Sequence, residues 1–266
     1  MSGRLALITG ASSGIGAAFA RIYARHGYDV ALTARREDRL RALADEVRLA
    51  HGVEAMILPA DLADPAAPAG LIGDIVAHGR TIDALVNNAG YGLVGPFADS
   101  RWEEQAASLQ VMVTAVCELA HRVLPAMVEQ GFGRIVNVAS VAGIAPGAPG
   151  GGLYSAVKAM VLSFSQTLHL ELADSGVHVS ALCPGFTWSE FHDVNHTREM
   201  IGKAPSWLWM GADEVAACGY EAAEANRPVC VPGAPNKAIT ALLHALPDEW
   251  SMAMMTQRRR FGIGRP

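Results

Sequence analysis

Tyr154-Ser155-Ala156-Val157-Lys158 sets a phenol and an ammonium four residues apart at the start of a helical pattern. On a helix, positions i and i+4 share one face, so the two groups can converge. An unperturbed phenol has a pKa near 10 and is a poor base at neutrality. A cation about 4 Å away, at an effective dielectric near 20, contributes on the order of 4 kcal/mol, roughly a thousandfold in the ionisation equilibrium. The spacing therefore predicts a tyrosine made acidic by a lysine, able to give and take a proton. Upstream, Ile135-Val136-Asn137-Val138-Ala139 leads to Ser140, whose hydroxyl is expected to hold a substrate carbonyl oxygen.

A second chemistry lies near the start. The segment Thr9-Gly10-Ala11-Ser12-Ser13-Gly14-Ile15-Gly16 joins an apolar run to a helical pattern. Its glycines let the backbone turn tightly and approach a pyrophosphate, which the following helix N-terminus attracts with free N–H groups and the positive end of its dipole. The second apolar run ends in Thr33-Ala34-Arg35-Arg36. An NAD site usually places an acid there for the ribose 2′-hydroxyl. Ala34 occupies that place, and the guanidinium forks of Arg35 and Arg36 suit a 2′-phosphate. NADP is therefore expected in preference to NAD. The competing reading makes both arginines a solvated helix start. Asp61 and Leu62, after the third run, are placed to meet the adenine amino group, with a plain helix N-cap as the rival role for Asp61.

These groups need a frame. Short apolar runs at 5–8, 30–32, 55–58, 84–86, 134–138, 177–182 and 228–231 alternate with helical patterns at 14–26, 37–51, 65–79, 101–130, 154–175 and 212–225. Most runs are continuously apolar, as strands buried on both faces are. The alternation predicts a doubly wound α/β sheet, a Rossmann fold, with ligands at the strand ends where Ser140 falls. No repeat or composition break divides the 266 residues, so residues 1–266 are read as one dinucleotide-binding catalytic domain.

Composition excludes several classes. Hydrophobic residues make up 51% and charged residues 18%, which rules out global disorder. A net charge of -5 argues against a nucleic-acid partner. Four scattered cysteines without a Cys-x-x-Cys pair predict neither a disulfide framework nor a zinc site. His192 and His196 have ligand-like spacing but no third ligand, so they are read as a surface pair and no metal is expected. The start Met1-Ser2-Gly3-Arg4 runs straight into an apolar segment without a leader pattern, and the uncharged stretch 135–157 is interrupted by Pro146, Pro149 and Gly150-Gly151-Gly152. The expectation is a cytoplasmic protein with no membrane partner.

Taken in this order, the motifs resemble those of a classical short-chain dehydrogenase/reductase. The resemblance spans roughly residues 5–232. It matches Thr9 to Gly16 to the family's glycine motif and Asn87-Asn88-Ala89-Gly90 to the segment that steadies the sheet beside the cofactor. Ser140, Tyr154 and Lys158 match the catalytic residues, and Pro184-Gly185 the turn that meets the nicotinamide. The resemblance implies seven parallel strands with helices on both faces, and hydride transfer between nicotinamide C4 and the substrate carbon. It implies that Tyr154 donates the proton in reduction, that Lys158 lowers its pKa and holds the ribose hydroxyls, and that Ser140 polarises the carbonyl. It also implies a homodimer or homotetramer.

Two departures stand out. Met112 occupies the place of the family's helix asparagine, and a thioether cannot donate a hydrogen bond. The segment Phe186-Thr187-Trp188-Ser189 also differs from the family's frequent pattern, with Thr187 or Ser189 as candidates to hold the carboxamide. Specificity is expected from Tyr91 to Phe97, from 144–153, and from a lid at about 186–212. Three of the five tryptophans fall in that lid, so Phe186, Trp188 and Trp207 are expected beside Tyr91 in an apolar substrate pocket. Packing of Trp207 and Trp209 in an interface or satellite core is the alternative. The reading is an NADP-dependent oxidoreductase acting on a ketone, aldehyde or alcohol of a lipophilic small molecule. A nucleotide-binding sensor that has lost turnover and a redox-neutral isomerase or dehydratase are the alternatives.

Overall fold

The computed structural model describes residues 3–147, 149–190 and 205–257. In chain order the strands are β1 (Leu5–Thr9), β2 (Asp29–Thr33), β3 (Ala55–Ile57), β4 (Ala84–Asn87), β5 (Gly133–Val138), β6 (Val177–Leu182), β7 (Phe186–Trp188), β8 (Trp209–Gly211) and β9 (Val229–Cys230). The helices are α1 (Gly14–Arg25), α2 (Glu37–His51), α3 (Ala67–Ala77), α4 (Trp102–Leu109), α5 (Ala115–Glu129), α6 (Tyr154–Glu171), α7 (Ala212–Glu224), α8 (Ala234–Ala245) and α9 (Asp248–Gln257).

Successive strand residues face opposite sides of a sheet, and here both sides are apolar. From β1, Ala6 and Ile8 enter one core with Val30 and Leu32 of β2; Leu5 and Leu7 enter another with Ala31. Phe19 of α1, Leu40 of α2 and Val215 of α7 cover the first face, while Ile75 of α3, Leu119 of α5 and Leu168 of α6 cover the second. The result is a seven-stranded parallel sheet, ordered β3-β2-β1-β4-β5-β6-β9, with helices around it. The strand order reverses between β1 and β4, which opens a crevice beyond the strand ends.

The structure departs from the sequence reading in four places. The helical pattern at 101–130 is broken at Gln110–Thr114 by a π-helical turn containing Met112. Such a turn inserts an extra residue and rotates the faces on either side of it. The composite helix Trp102–Glu129 is long and apolar enough to cross a membrane by length and composition, yet Leu119, Val123 and Met127 pack onto the sheet. Two helices, α8 and α9, follow the last strand where none was expected. Part of the expected lid forms the parallel pair β7–β8; 191–204, including His192 and His196, lie outside the described residues. Finally, Cys218 of α7 and Cys230 of β9 form a disulfide across a sequence separation of 12. Spacing did not reveal this pair, because tertiary contact between an edge strand and the helix preceding it brings the two sulfurs together.

Candidate active site

At the end of β1, chain reversal demands unusual backbone. Gly10 and Gly14 adopt φ of +66° and +56°, which side-chain-bearing residues rarely do. Gly16 is required for a different reason. A Cβ there would come within 2.3 Å of the Gly10 carbonyl oxygen and 2.6 Å of Asn88 Nδ2. The turn is clamped from β4. Asn88 Nδ2 donates to the Thr9 and Gly10 carbonyls at 2.9 and 3.3 Å, and the Asn88 and Ala89 amides donate to Thr9 Oγ1 at 2.9 and 3.0 Å. Thr9 is thus the hub of the turn.

A cavity of about 650 Å³ runs over this turn and along the strand ends. One end is lined by Gly10, Ser12, Ser13, Gly14, Ile15, Arg35, Arg36, Asp61 and Leu62. Gly16 lies beneath it, packed against Gly10. Asp61 precedes α3 by several residues and accepts from the Ala63 amide at 3.0 Å, so it caps a local turn, not the helix. Arg36 Nη2 donates to the hydroxyls of Ser12 and Ser13, both at 3.1 Å. Asn88, Ala89, Gly90, Pro184, Gly185 and Thr187 line the middle, where Thr187 Oγ1 donates to the Gly185 carbonyl at 3.2 Å.

The other end holds Ser140, Tyr154 and Lys158, which the fold brings together from β5 and α6. Ser140 accepts from the Ala142 amide at 3.1 Å and hydrogen-bonds to the Tyr154 phenol. Lys158 Nζ donates to the Val138 carbonyl at 2.7 Å and lies 5.7 Å from the centre of the Tyr154 ring. The electrostatics differ from the expectation. Desolvation at the cavity wall pushes the Tyr154 phenol up to about 12, opposed by the Ser140 hydrogen bond, and burial pushes Lys158 down to about 8. The lysine is bound to β5 at this position, and its charge does not offset the burial of the phenol. Cys183 lies beside Lys158 and Ser140, but burial pushes its thiol up to about 12 and keeps it from nucleophilic use.

Apart from Asn87, which lies in the segment read as steadying the sheet, several positioning residues carried no signal in the sequence. Asn87 Nδ2 donates to Asn137 Oδ1 at 2.9 Å, Asn137 Nδ2 to Ser165 Oγ at 3.0 Å, and Ser165 to the Val161 carbonyl at 2.6 Å. This buried chain ties α6, and with it Tyr154 and Lys158, to β4 and β5. Gly143 lets the loop after β5 touch the α6 backbone, where a Cβ would sit 2.5 Å from the Lys158 carbonyl carbon. From α8, Asn236, Ile239, Thr240 and Leu243 form a cavity wall. No motif marks that helix, and only the tertiary fold carries it over the site.

The aromatic expectations divide. Tyr91 and Phe186 line the cavity; Trp188 and Trp207 do not. Phe186 and Trp188 share one strand face and both stack on Trp209, at 5.3 and 4.2 Å between ring centres, while Thr187 on the other face is 5% exposed. Trp188, at the far end of the strand, is exposed beyond the cavity lining. Trp207 is exposed, and its neighbour Leu208 reaches the cavity instead. Met112 is buried among Leu62, Leu71 and Val157, with its sulfur against Gly90, where a Cβ would come within 3.0 Å of Sδ and 3.8 Å of Lys158 Nζ.

Known proteins are similar to this chain in sequence and fold. The chain is 33% identical over 267 residues to the fatty acyl-CoA reductase Rv0547c of Mycobacterium tuberculosis, covering 97% of this chain and 85% of that one. A short-chain dehydrogenase from Sphingobium yanoikuyae, solved in complex with NADPH, superposes with a TM-score of 0.80 at 36% identity, covering 92% and 96% of the two chains. One from Burkholderia phymatum, solved in complex with NAD, gives 0.82 at 28% identity, covering 91% and 93%. Residues 4–199 match the short chain dehydrogenase family model. With the glycine turn, the serine, the tyrosine and the lysine facing one crevice, this chain belongs to the short-chain dehydrogenase/reductase family of oxidoreductases.

Proposed function

We propose that this protein is an NADP-dependent reductase of a ketone or aldehyde on a lipophilic small molecule, also able to oxidise the corresponding alcohol. One observation carries the reading: Ser140, Tyr154 and Lys158 share a single cavity with a glycine-lined turn and two arginines. The residues fit a dinucleotide. Gly10 and Gly14 line the cavity at the α1 N-terminus, which has no side-chain cap, and Arg35, Arg36, Ser12 and Ser13 supply donors for a phosphate. When bound, the nicotinamide supplies the hydride. Arg35 and Arg36 hold the 2′-phosphate, Asp61 and Leu62 face the adenine, and Thr187 or Ser189 steadies the carboxamide.

The chain's own groups manage the proton. With its pKa pushed up to about 12, the Tyr154 phenol is protonated at neutral pH, the form that gives a proton to a carbonyl oxygen during reduction. Ser140 has one hydroxyl proton: it donates that proton to the same oxygen as the carbonyl is reduced, and turns it to the phenolate once the Tyr154 proton has left. Lys158 holds the ribose hydroxyls and, 5.7 Å from the Tyr154 ring centre, supplies a cation beside that phenolate. Val141, Ala145, Pro146, Leu208, Ile239 and Leu243 give the substrate an apolar bed, matching a lipophilic carbonyl compound. We also propose a homodimer or homotetramer, which sedimentation would test.

The direct experiment is a panel of lipophilic ketones with NADPH, and of alcohols with NADP⁺, followed at the nicotinamide absorbance. Turnover with at least one class is expected. Tyr154→Phe is expected to abolish it while NADPH binding stays nearly intact, and full turnover by that variant would defeat the assignment. Net consumption of NADPH separates a reductase from a redox-neutral isomerase or dehydratase. One observation favours a second reading, a nucleotide-binding sensor: Met112 puts a thioether, not a hydrogen-bonding group, near Lys158. NADPH binding without turnover across the whole panel would favour it.

A further inference from the structure

Glu190 follows the β7 segment along the cavity wall, at the end lined by the glycine turn and the arginines. Its Oε2 is 2.8 Å from Arg36 Nη2, and its Oε1 is 3.9 Å from Arg39 Nη2. The same Arg36 nitrogen reaches the Ser12 and Ser13 hydroxyls. Arg36, with help from Ser13 and Arg39, holds the Glu190 carboxyl below the usual carboxylate range, so it is charged at neutral pH. The backbone is delivered here by contact with the glycine turn: a Cβ on Gly14 would come within 2.8 Å of Ser189 Cβ. Where an incoming phosphate would meet a guanidinium, the chain already presents an anion of its own.

We propose that Glu190 sets the cofactor preference of this site, acting as a built-in carboxylate that competes with the ribose 2′-phosphate for Arg36. This rests on the reading of Arg35 and Arg36 as the 2′-phosphate contact. A 2′-phosphate approaching Arg36 meets the carboxylate as well, and like charges brought together offset part of the attraction. A plain 2′-hydroxyl carries no charge and can donate a hydrogen bond to the carboxylate. Glu190 thus supplies, from a distant point in the sequence, the acid that Ala34 lacks at the end of β2. Its presence narrows the gap between NADPH and NADH.

The test is isothermal titration of the full chain with NADPH, NADH and adenosine 2′,5′-bisphosphate, the last as a probe of the phosphate alone. Glu190→Gln is expected to tighten NADPH and the bisphosphate about fivefold, a change on the scale of one exposed ion pair, and to leave NADH unchanged or weaker. In an Arg36→Ala background the same substitution is expected to have a clearly smaller effect, because the competition for the shared guanidinium is gone and only the like-charge repulsion remains. Unchanged or weaker NADPH binding in Glu190→Gln overturns the proposal, as does the same tightening without Arg36. Arg35→Ala and Arg36→Ala separate the two levels. Selective loss of NADPH in those variants with an unresponsive Glu190→Gln removes only the role of Glu190. Equal loss of NADPH and NADH removes the 2′-phosphate contact, and Glu190 with it.

Discussion

Lys158 is held at a cost. Burial brings its pKa from the ordinary 10.5 to about 8, so between those values the unfolded chain keeps a proton that the folded chain has released. Stability contributed by this residue is therefore fully present above pH 10.5 and is lost as pH falls to about 8. The penalty at neutral pH is on the order of 3 kcal/mol. Lys158→Met should stabilise the fold by about 2 kcal/mol at pH 7, once the lost bond to Val138 is deducted, while removing turnover. Denaturant midpoints at pH 7 and 10.5 check this: the gain should shrink at the higher pH, and an equal gain at both would contradict the burial cost. The i, i+4 spacing of Tyr154 and Lys158 was legible because helix geometry is local. Their pKa values were not, because desolvation depends on what packs around them.

At the scale of elements, the site depends on how closely α6 approaches β5. Two devices set that distance: the Asn87–Asn137–Ser165 chain and the bare backbone at Gly143. Gly143→Ala would place a methyl 2.5 Å from the Lys158 backbone, where no flexible side chain can give way. It is expected to cost about 1–3 kcal/mol and to lower kcat by displacing Tyr154 and Lys158 from Ser140. Unchanged melting temperature and unchanged kcat would show that the loop yields freely. Sequence periodicity located the seven strands of the main sheet and most helices, since both patterns reflect burial along a single element, but not β7 or β8. It did not show the π-helical turn at Gln110–Thr114 or the exposure of Trp188 beyond the cavity lining, which follow from the packing of neighbouring elements.

The molecule as a whole is closed at one sheet edge by β9, which the Cys218–Cys230 disulfide ties to α7. Beyond β9 lies α8, whose residues wall the cavity, so this link anchors that wall. Closing a loop of this length stabilises by about 3 kcal/mol in the chain-entropy view. Cys230→Ser, or reduction of the wild type, is expected to lower the melting temperature by roughly 6 °C. Equal melting temperatures with and without reductant, alongside two alkylatable thiols at those positions, would count against a stabilising link.

What the amino-acid sequence determined by itself was local or additive. Continuous apolar runs required a sheet covered on both faces, the glycines of 10–16 required a tight turn before a helix, and a phenol and an amine four residues apart required a shared face. What only tertiary structure decided were encounters between segments far apart in the chain. These include Glu190 against Arg36, the α8 wall over the cavity, Cys230 against Cys218, and Lys158 bound to the Val138 carbonyl. No periodicity encodes such meetings, because each depends on how whole elements pack, and a residue's charge, burial and partner are properties of that packing.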